Sequence, residues 1–160
     1  MPTLNGASGI VYQPDVMQLS RVVDADQSVT SSTTLVTVPK LTVPIGINER
    51  IILRYTIHFS AGATGDLKVF VNAPDSPTLF RQAAISIDPS GALAGGSILT
   101  AENNAASVVS ASAGNGLLLL NVLVANGANA GEVTFEFAQN SSDATATIIR
   151  AGSFLEYRYF

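Results

Sequence analysis

Apolar and polar residues alternate without a break from Leu53 to Phe59, and a period of two restricts the local structure to an extended strand. Ile51, Leu53, Tyr55, Ile57 and Phe59 hold the odd positions, while Arg54, Thr56 and His58 share the even ones. Successive side chains of an extended chain point to opposite faces, so this segment buries one face and wets the other. Val133, Phe135 and Phe137 repeat the pattern against Glu132, Thr134 and Glu136, as do Leu155, Tyr157 and Tyr159 against Glu156 and Arg158. Leu67, Val69 and Val71 alternate with Lys68, Phe70 and Asn72, where Phe70 interrupts the polar face. The spacing predicts half-buried antiparallel strands with one face on a core.

Short turn signals separate these runs: Pro44-Ile45-Gly46, Ala61-Gly62-Ala63-Thr64-Gly65, Pro74-Asp75-Ser76-Pro77, Asp88-Pro89-Ser90-Gly91, Gly114-Asn115-Gly116, Asn126-Gly127 and Ala151-Gly152. Gly and Asn tolerate positive φ, and Pro fixes φ while removing a ladder donor. No long segment carries a capped 3.6-residue apolar period, and the run around Glu102 to Ala106 has room for one helical turn only. Many short strands between Gly and Pro turns predict an all-β fold, an antiparallel β-sandwich of jelly-roll type, and 160 residues suit one domain.

Two stretches depart from the alternation. Residues 1–28 contain Leu4, Ile10, Val11, Tyr12, Val16, Met17 and Leu19 without a sustained period. They read either as a frayed terminus or first strand, or as an extended N-terminal arm lying on a partner, which leaves 29–160 as the sandwich domain. Leu117 to Val124 is apolar at both parities apart from Asn121. Three readings fit: a strand buried on both sides, a strand whose second face packs on identical strands around a symmetry axis, or a buried helical turn.

Charge then narrows the function. Only 12% of the residues are charged, against about 25% in ordinary soluble domains. The net charge is −4, and Lys40 and Lys68 are the only lysines, too few for a nucleic-acid binder that must displace counterions. The longest apolar run, Leu117 to Ala125, falls far short of the roughly 20 residues of a membrane helix. The first residues show no basic and apolar leader pattern, so neither a leader nor a membrane partner is expected.

No catalytic constellation emerges. There is no Cys, and the single His58 sits mid-strand beside Arg54 and Thr56, without a Gly-x-Ser-x-Gly elbow elsewhere. Glu132 and Glu136 share one strand face, and Asp24-Ala25-Asp26 is a fragment of a calcium loop. Gly91-Ala92-Leu93-Ala94-Gly95-Gly96 lacks the Lys-Ser/Thr of a phosphate loop and reads as a flexible loop. The expectation is a non-enzyme with no cofactor, no metal and no small-molecule substrate. A surface of Ala, Ser, Thr, Asn and Gly, poor in Lys and Glu, suits a protein that its neighbours cover.

The C-terminal block Val133-Thr134-Phe135-Glu136-Phe137-Ala138-Gln139-Asn140, a Ser/Thr/Ala loop, then Ala151-Gly152-Ser153-Phe154-Leu155-Glu156 resembles the ending of small jelly-roll virion proteins of tailed bacteriophages. Leu35 to Phe59, a strand, Pro44-Ile45-Gly46 and a long aromatic-bearing strand, is similar to the opening of the same domains. The two segments cover nearly a third of the chain.

The resemblance implies a TNF-like or C1q-like jelly roll that forms a homotrimer. Members of this group act as capsid decoration (cement) proteins, tail-fibre or tailspike tips, or baseplate pieces. A short chain opening at Met1 without a repetitive shaft points to decoration of the outer surface of a phage head, with the major capsid protein as partner. The alternative is a tail-associated receptor-binding tip or adaptor. On the decoration reading the trimer interface is expected at Leu117, Leu119, Val122, Val124, Tyr157, Tyr159 and Phe160, and the capsid contact at the arm, from Leu4 to Leu19.

Overall fold

Each alternating segment folds as a strand that turns its apolar parity inward. The computed structural model describes residues 19–88, 90–99, 107–109 and 114–160, the side chains of 94–99 and 107–109 excepted. In chain order the strands are β1 (Leu19–Val22), β2 (Gln27–Val29), β3 (Val36–Thr37), β4 (Val43–Ile45), β5 (Arg50–Ala61), β6 (Leu67–Asn72) and β7 (Leu79–Ile87). They continue with β8 (Leu93–Leu99), β9 (Ser107–Val109), β10 (Gly114–Ala125), β11 (Gly131–Ala138), β12 (Thr147–Ile149) and β13 (Phe154–Tyr159). A 3-10 turn at Pro39–Leu41 separates β3 from β4.

The pairing is nested. β1 lies beside β13, β3 and β4 beside β11, β5 beside β10, and β6 beside β9, all antiparallel. A chain folded back on itself as one long hairpin and then rolled gives this order, which is that of a jelly roll. Rolling distributes the strands over two sheets. The broad one runs β1-β13-β5-β10-β7-β8, with β12 and β2 continuing its β1/β13 side, and the narrow one runs β3-β11-β6-β9, with β4 also on β11. The β7–β8 hairpin is inserted between β6 and β9 and widens the broad sheet beyond β10.

The core fills the space between the sheets. Ile51, Leu53, Tyr55, Ile57 and Phe59 from β5 meet Leu67, Val69, Val133, Phe135 and Phe137 from the narrow sheet, each at most 1% exposed. Burying one such side chain contributes about 1.5–3 kcal/mol. Tyr55 packs on Phe135 with ring centroids 5.2 Å apart. Its hydroxyl has no hydrogen-bond partner among the described residues, and burial pushes the phenol well above its usual range.

Polar side chains knit one end of the sandwich. Gln139 is fully buried where β11 ends. Its Oε1 accepts from Ser32 N and Asp143 N, both at 3.1 Å, and its Nε2 donates to Asp143 O at 3.0 Å and Thr145 O at 2.8 Å. The β11–β12 loop is thereby fastened to the β2–β3 connection. Asp143 extends the network by accepting from Thr64 Oγ1 and from Thr145 N. Those two donors, Thr64 first, hold its carboxyl below the usual carboxylate range, and the Ala151 N–H and Arg150 guanidinium do the same for Asp26.

A depressed folded-state pKa contributes stability above the unfolded value of about 4, and that contribution fades as pH falls through the folded value. The stability difference between the wild type and Asp143→Asn is therefore expected to shrink from pH 6 to pH 3. Thermal unfolding at the two pH values measures it, and an unchanged difference would contradict the assignment.

Several expectations are corrected. Gly91 to Gly96, expected to be a flexible loop, runs from its third residue into strand β8 (Leu93–Leu99), because backbone pairing with β7 requires no side-chain pattern. Gly114-Asn115-Gly116 opens β10 instead of turning, and Gly116 is glycine because a Cβ there would lie 2.5 Å from the Phe59 ring. Pro44 sits inside β4, an edge strand where a missing N–H costs no ladder bond. Of the stretch 1–28, read as first strand or arm, the described part holds β1 and the start of β2, and Leu19 packs half-buried against the core. Leu4, Ile10, Val11, Tyr12, Val16 and Met17, like Glu102 to Ala106, lie outside the described residues.

Candidate assembly surface

The surface of interest is the outer face of the broad sheet, and β10 shows why. Leu118, Leu120, Val122 and Val124 point into the core, each at most 2% exposed. Leu117, Leu119 and Leu123 therefore point outward, half-buried only by their strand neighbours. The structure thus separates a run that reads as apolar throughout into a core face and an outer face.

Register assembles the outer face from distant parts of the chain. Val22, Phe154, Thr56, Leu119 and Ile85 stand in one row across five strands. His58, Leu117, Ile87 and Leu93 form the next row. On the other side of Leu119, Ile52 lies opposite Leu123. Val22 is 48%, Ile85 45% and Leu93 74% exposed. Together these residues make an apolar band that no described residue covers, the kind of contiguous patch that marks an interaction site.

The charges on this face are basic. Arg50, Arg54, Arg81 and Arg158 are exposed and share its strand parity, with Glu156 as their acidic neighbour. Glu156 lies directly opposite Arg54, and Arg158 is two residues further along the same strand. Ile52, Arg54, Glu156, Tyr157 and Arg158 line a shallow groove here. The narrow sheet differs: its β11 turns Glu132 and Glu136 outward, and the facing β6 supplies Lys68.

Of the seven residues expected at the trimer interface, the structure brings Leu117 and Leu119 together on this face. Val122 and Val124 are corrected to the core, because residues of odd and even number on one strand cannot share a side. Tyr157 is also a core residue at 9% exposure. Tyr159 donates its hydroxyl to Pro44 O at 2.5 Å, tying β13 to the narrow sheet, and burial followed by Tyr157 and Glu49 raises its phenol. Phe160 is 58% exposed just beyond β13. Ile52, Leu123, Ile85, Ile87 and Phe154 were missed by sequence reasoning. The even parity of β5 carries a signal for Ile52, but the others emerge only from register.

Catalytic candidates do not converge. His58 is exposed on the outer face, and the buried Ser153 hydroxyl bonds its backbone, accepting from His58 N at 3.0 Å and donating to His58 O at 3.2 Å. Asp24 pairs with Lys40 at 2.7 Å and Asp26 with Arg150 at 2.8 Å. Among the described residues no three His, Asp or Glu side chains are placed to hold a metal ion.

No family model matches the sequence, and no curated protein matches it. Among solved structures, the chain is similar to one of the infectious bursal disease virus Gt strain at 11% identity and a TM-score of 0.23, over 89% of this chain and 36% of that one. It is also similar to the VP2 subviral particle of infectious bursal disease virus at 8% identity and a TM-score of 0.25, over 89% of this chain and 40% of that one. The chain thus spans well under half the length of the chains that it matches.

Proposed function

We propose that this chain is a structural virion protein, a homotrimeric decoration (cement) protein on the outer surface of a phage head. One observation carries the reading: among the described residues the jelly roll leaves an apolar band on its broad sheet uncovered, with His58, Thr56 and the flanking arginines as its polar interruptions. A chain with so few charges and such a face gains by association with copies of itself. The resemblance of Val133 to Glu156 to phage jelly-roll virion proteins supports the setting. Bridging neighbouring major-capsid subunits stabilises the shell because a protein that binds only the assembled state shifts the equilibrium toward it.

The arm is assigned to the capsid. Deleting residues 2–17 spares β1 and is expected to abolish occupancy of purified heads while the soluble domain stays folded. Undiminished occupancy would overturn this role for the arm.

A tail-tip or adaptor role has one observation in its favour, an open recess in which Ser60, Asn115, Thr145 and Arg150 stand beside Ala61, Ala63 and Ile148, a mixed polar and apolar lining that suits a saccharide. Densitometry of virions separates the readings: hundreds of copies per particle support decoration, and a few copies support the tail.

A further inference from the structure

We propose that the broad sheet's outer face receives a second copy of this chain through a heterologous contact, in which Arg54 and Arg158 meet carboxylates carried on a different surface of the neighbour. The inference rests on the oligomer in the proposed function and names the chemistry of its interface.

Charge distribution carries it. Among the described residues, Arg50, Arg54, Arg81 and Arg158 against Glu156 give this face a net charge of +3. The described residues carry eight basic and ten acidic side chains, so those outside the face sum to −5. Carboxylates are exposed elsewhere, Glu132 on the narrow sheet and Asp75 between β6 and β7 among them. A twofold contact of this face with itself would set its net positive charge against an equal positive charge around an apolar centre. Like charges desolvated across an interface cost several kcal/mol. The face of one copy against an acidic surface of the next avoids that repulsion and turns it into attraction. A contact between two different surfaces closes into a ring when its rotation closes, and a ring of three is the trimer proposed above.

Arg54 and Arg158 are the pair best placed to select the partner. They flank Glu156 on adjacent strands, beside the Ile52–Leu123 pair that extends the apolar band. Arginine presents a planar fork that binds a carboxylate through two parallel hydrogen bonds. Apolar contact then supplies the attraction, and the arginines decide which surface of the neighbour docks.

The sign of two responses tests this. Sedimentation velocity of the full chain in 50 mM and 500 mM NaCl, for wild type and for Arg54→Gln/Arg158→Gln, reads the self-association constant. The heterologous contact predicts weaker association in high salt and at least about tenfold weaker association in the double variant. A self-paired basic face predicts the reverse, tighter association in both cases, and would overturn the inference while leaving the oligomer intact. Association unaffected by salt and by the double variant would also overturn it. A wild type that is monomeric in both salts would remove the oligomer itself, and with it this inference. Circular dichroism of the double variant verifies that exposed arginines were replaced without loss of fold.

Discussion

Gln139→Ala is expected to lower the unfolding free energy by about 3–5 kcal/mol, a large loss for a polar position. The side chain is fully buried and makes four hydrogen bonds to backbone groups of Ser32, Asp143 and Thr145. Alanine fills none of that volume and leaves donors and acceptors in a space that water does not reach freely. An orphaned buried polar group costs about 1–3 kcal/mol, and several are created at once.

Urea denaturation at one protein concentration reads the effect as a lower midpoint with an unchanged slope. Asn140→Ala serves as the comparison, since the exposed Asn140 bonds Gly65 O through its backbone only. Its expected loss is within about 0.5 kcal/mol. Similar losses at the two positions would show that Gln139 does not hold the β2–β3 and β11–β12 loops together.

Leu119→Asp is expected to act on assembly instead of folding. Leu119 stands at the middle of the outer row, between Thr56 and Ile85. In a lone protomer the new carboxylate meets water, and the cost to folding stays near 1 kcal/mol or below. In the proposed interface it would be buried in an apolar band at a cost of several kcal/mol, so the association constant falls by about a thousandfold or more.

Its neighbour Leu120 provides the contrast. Leu120 is 1% exposed on the core side, and Leu120→Ala is expected to cost about 2–5 kcal/mol of folding stability. Two adjacent leucines thus give opposite phenotypes, one in sedimentation and one in urea. If Leu119→Asp sediments like the wild type, the broad sheet's outer face is not where copies meet.

The contrast also shows how far sequence reasoning reaches. At β5, β6, β11 and β13 the alternation identified strand and buried parity together, because Cβ direction follows from the local backbone and from nothing further away. At β10 it identified neither face, since leucines and valines occupy both parities. Val122 and Val124 were therefore grouped with Leu117 and Leu119, from which the strand's pleat separates them. Gln139 was visible in the Phe137-Ala138-Gln139-Asn140 segment as a feature of the resemblance, yet its role as the hub of two loops was not. A buried glutamine and an exposed one look identical until the loops that satisfy it are in place.

Residues 19–28 and 93–99 make the same point from the other side. Neither stretch has an apolar period, yet the first holds β1 and most of β2 and the second is β8, because these strands lie at the margins of the broad sheet. Edge strands bury little, so their sequences need not alternate. Their backbone hydrogen bonds to β13, β12 and β7 supply the structure.

From the chain's own residues follow an all-β fold, the parity of its main strands, and a composition poor in charge. Those are local or summed properties, readable from neighbouring residues and from composition. The tertiary structure decided the nested strand order, the widening of one sheet by β7 and β8, and the row that joins Val22, Phe154, Leu119 and Ile85. It also decided that four of the arginines share that face. Strand neighbours are chosen by how two sheets enclose a common core, so residues more than a hundred positions apart become adjacent by register, which no local pattern records.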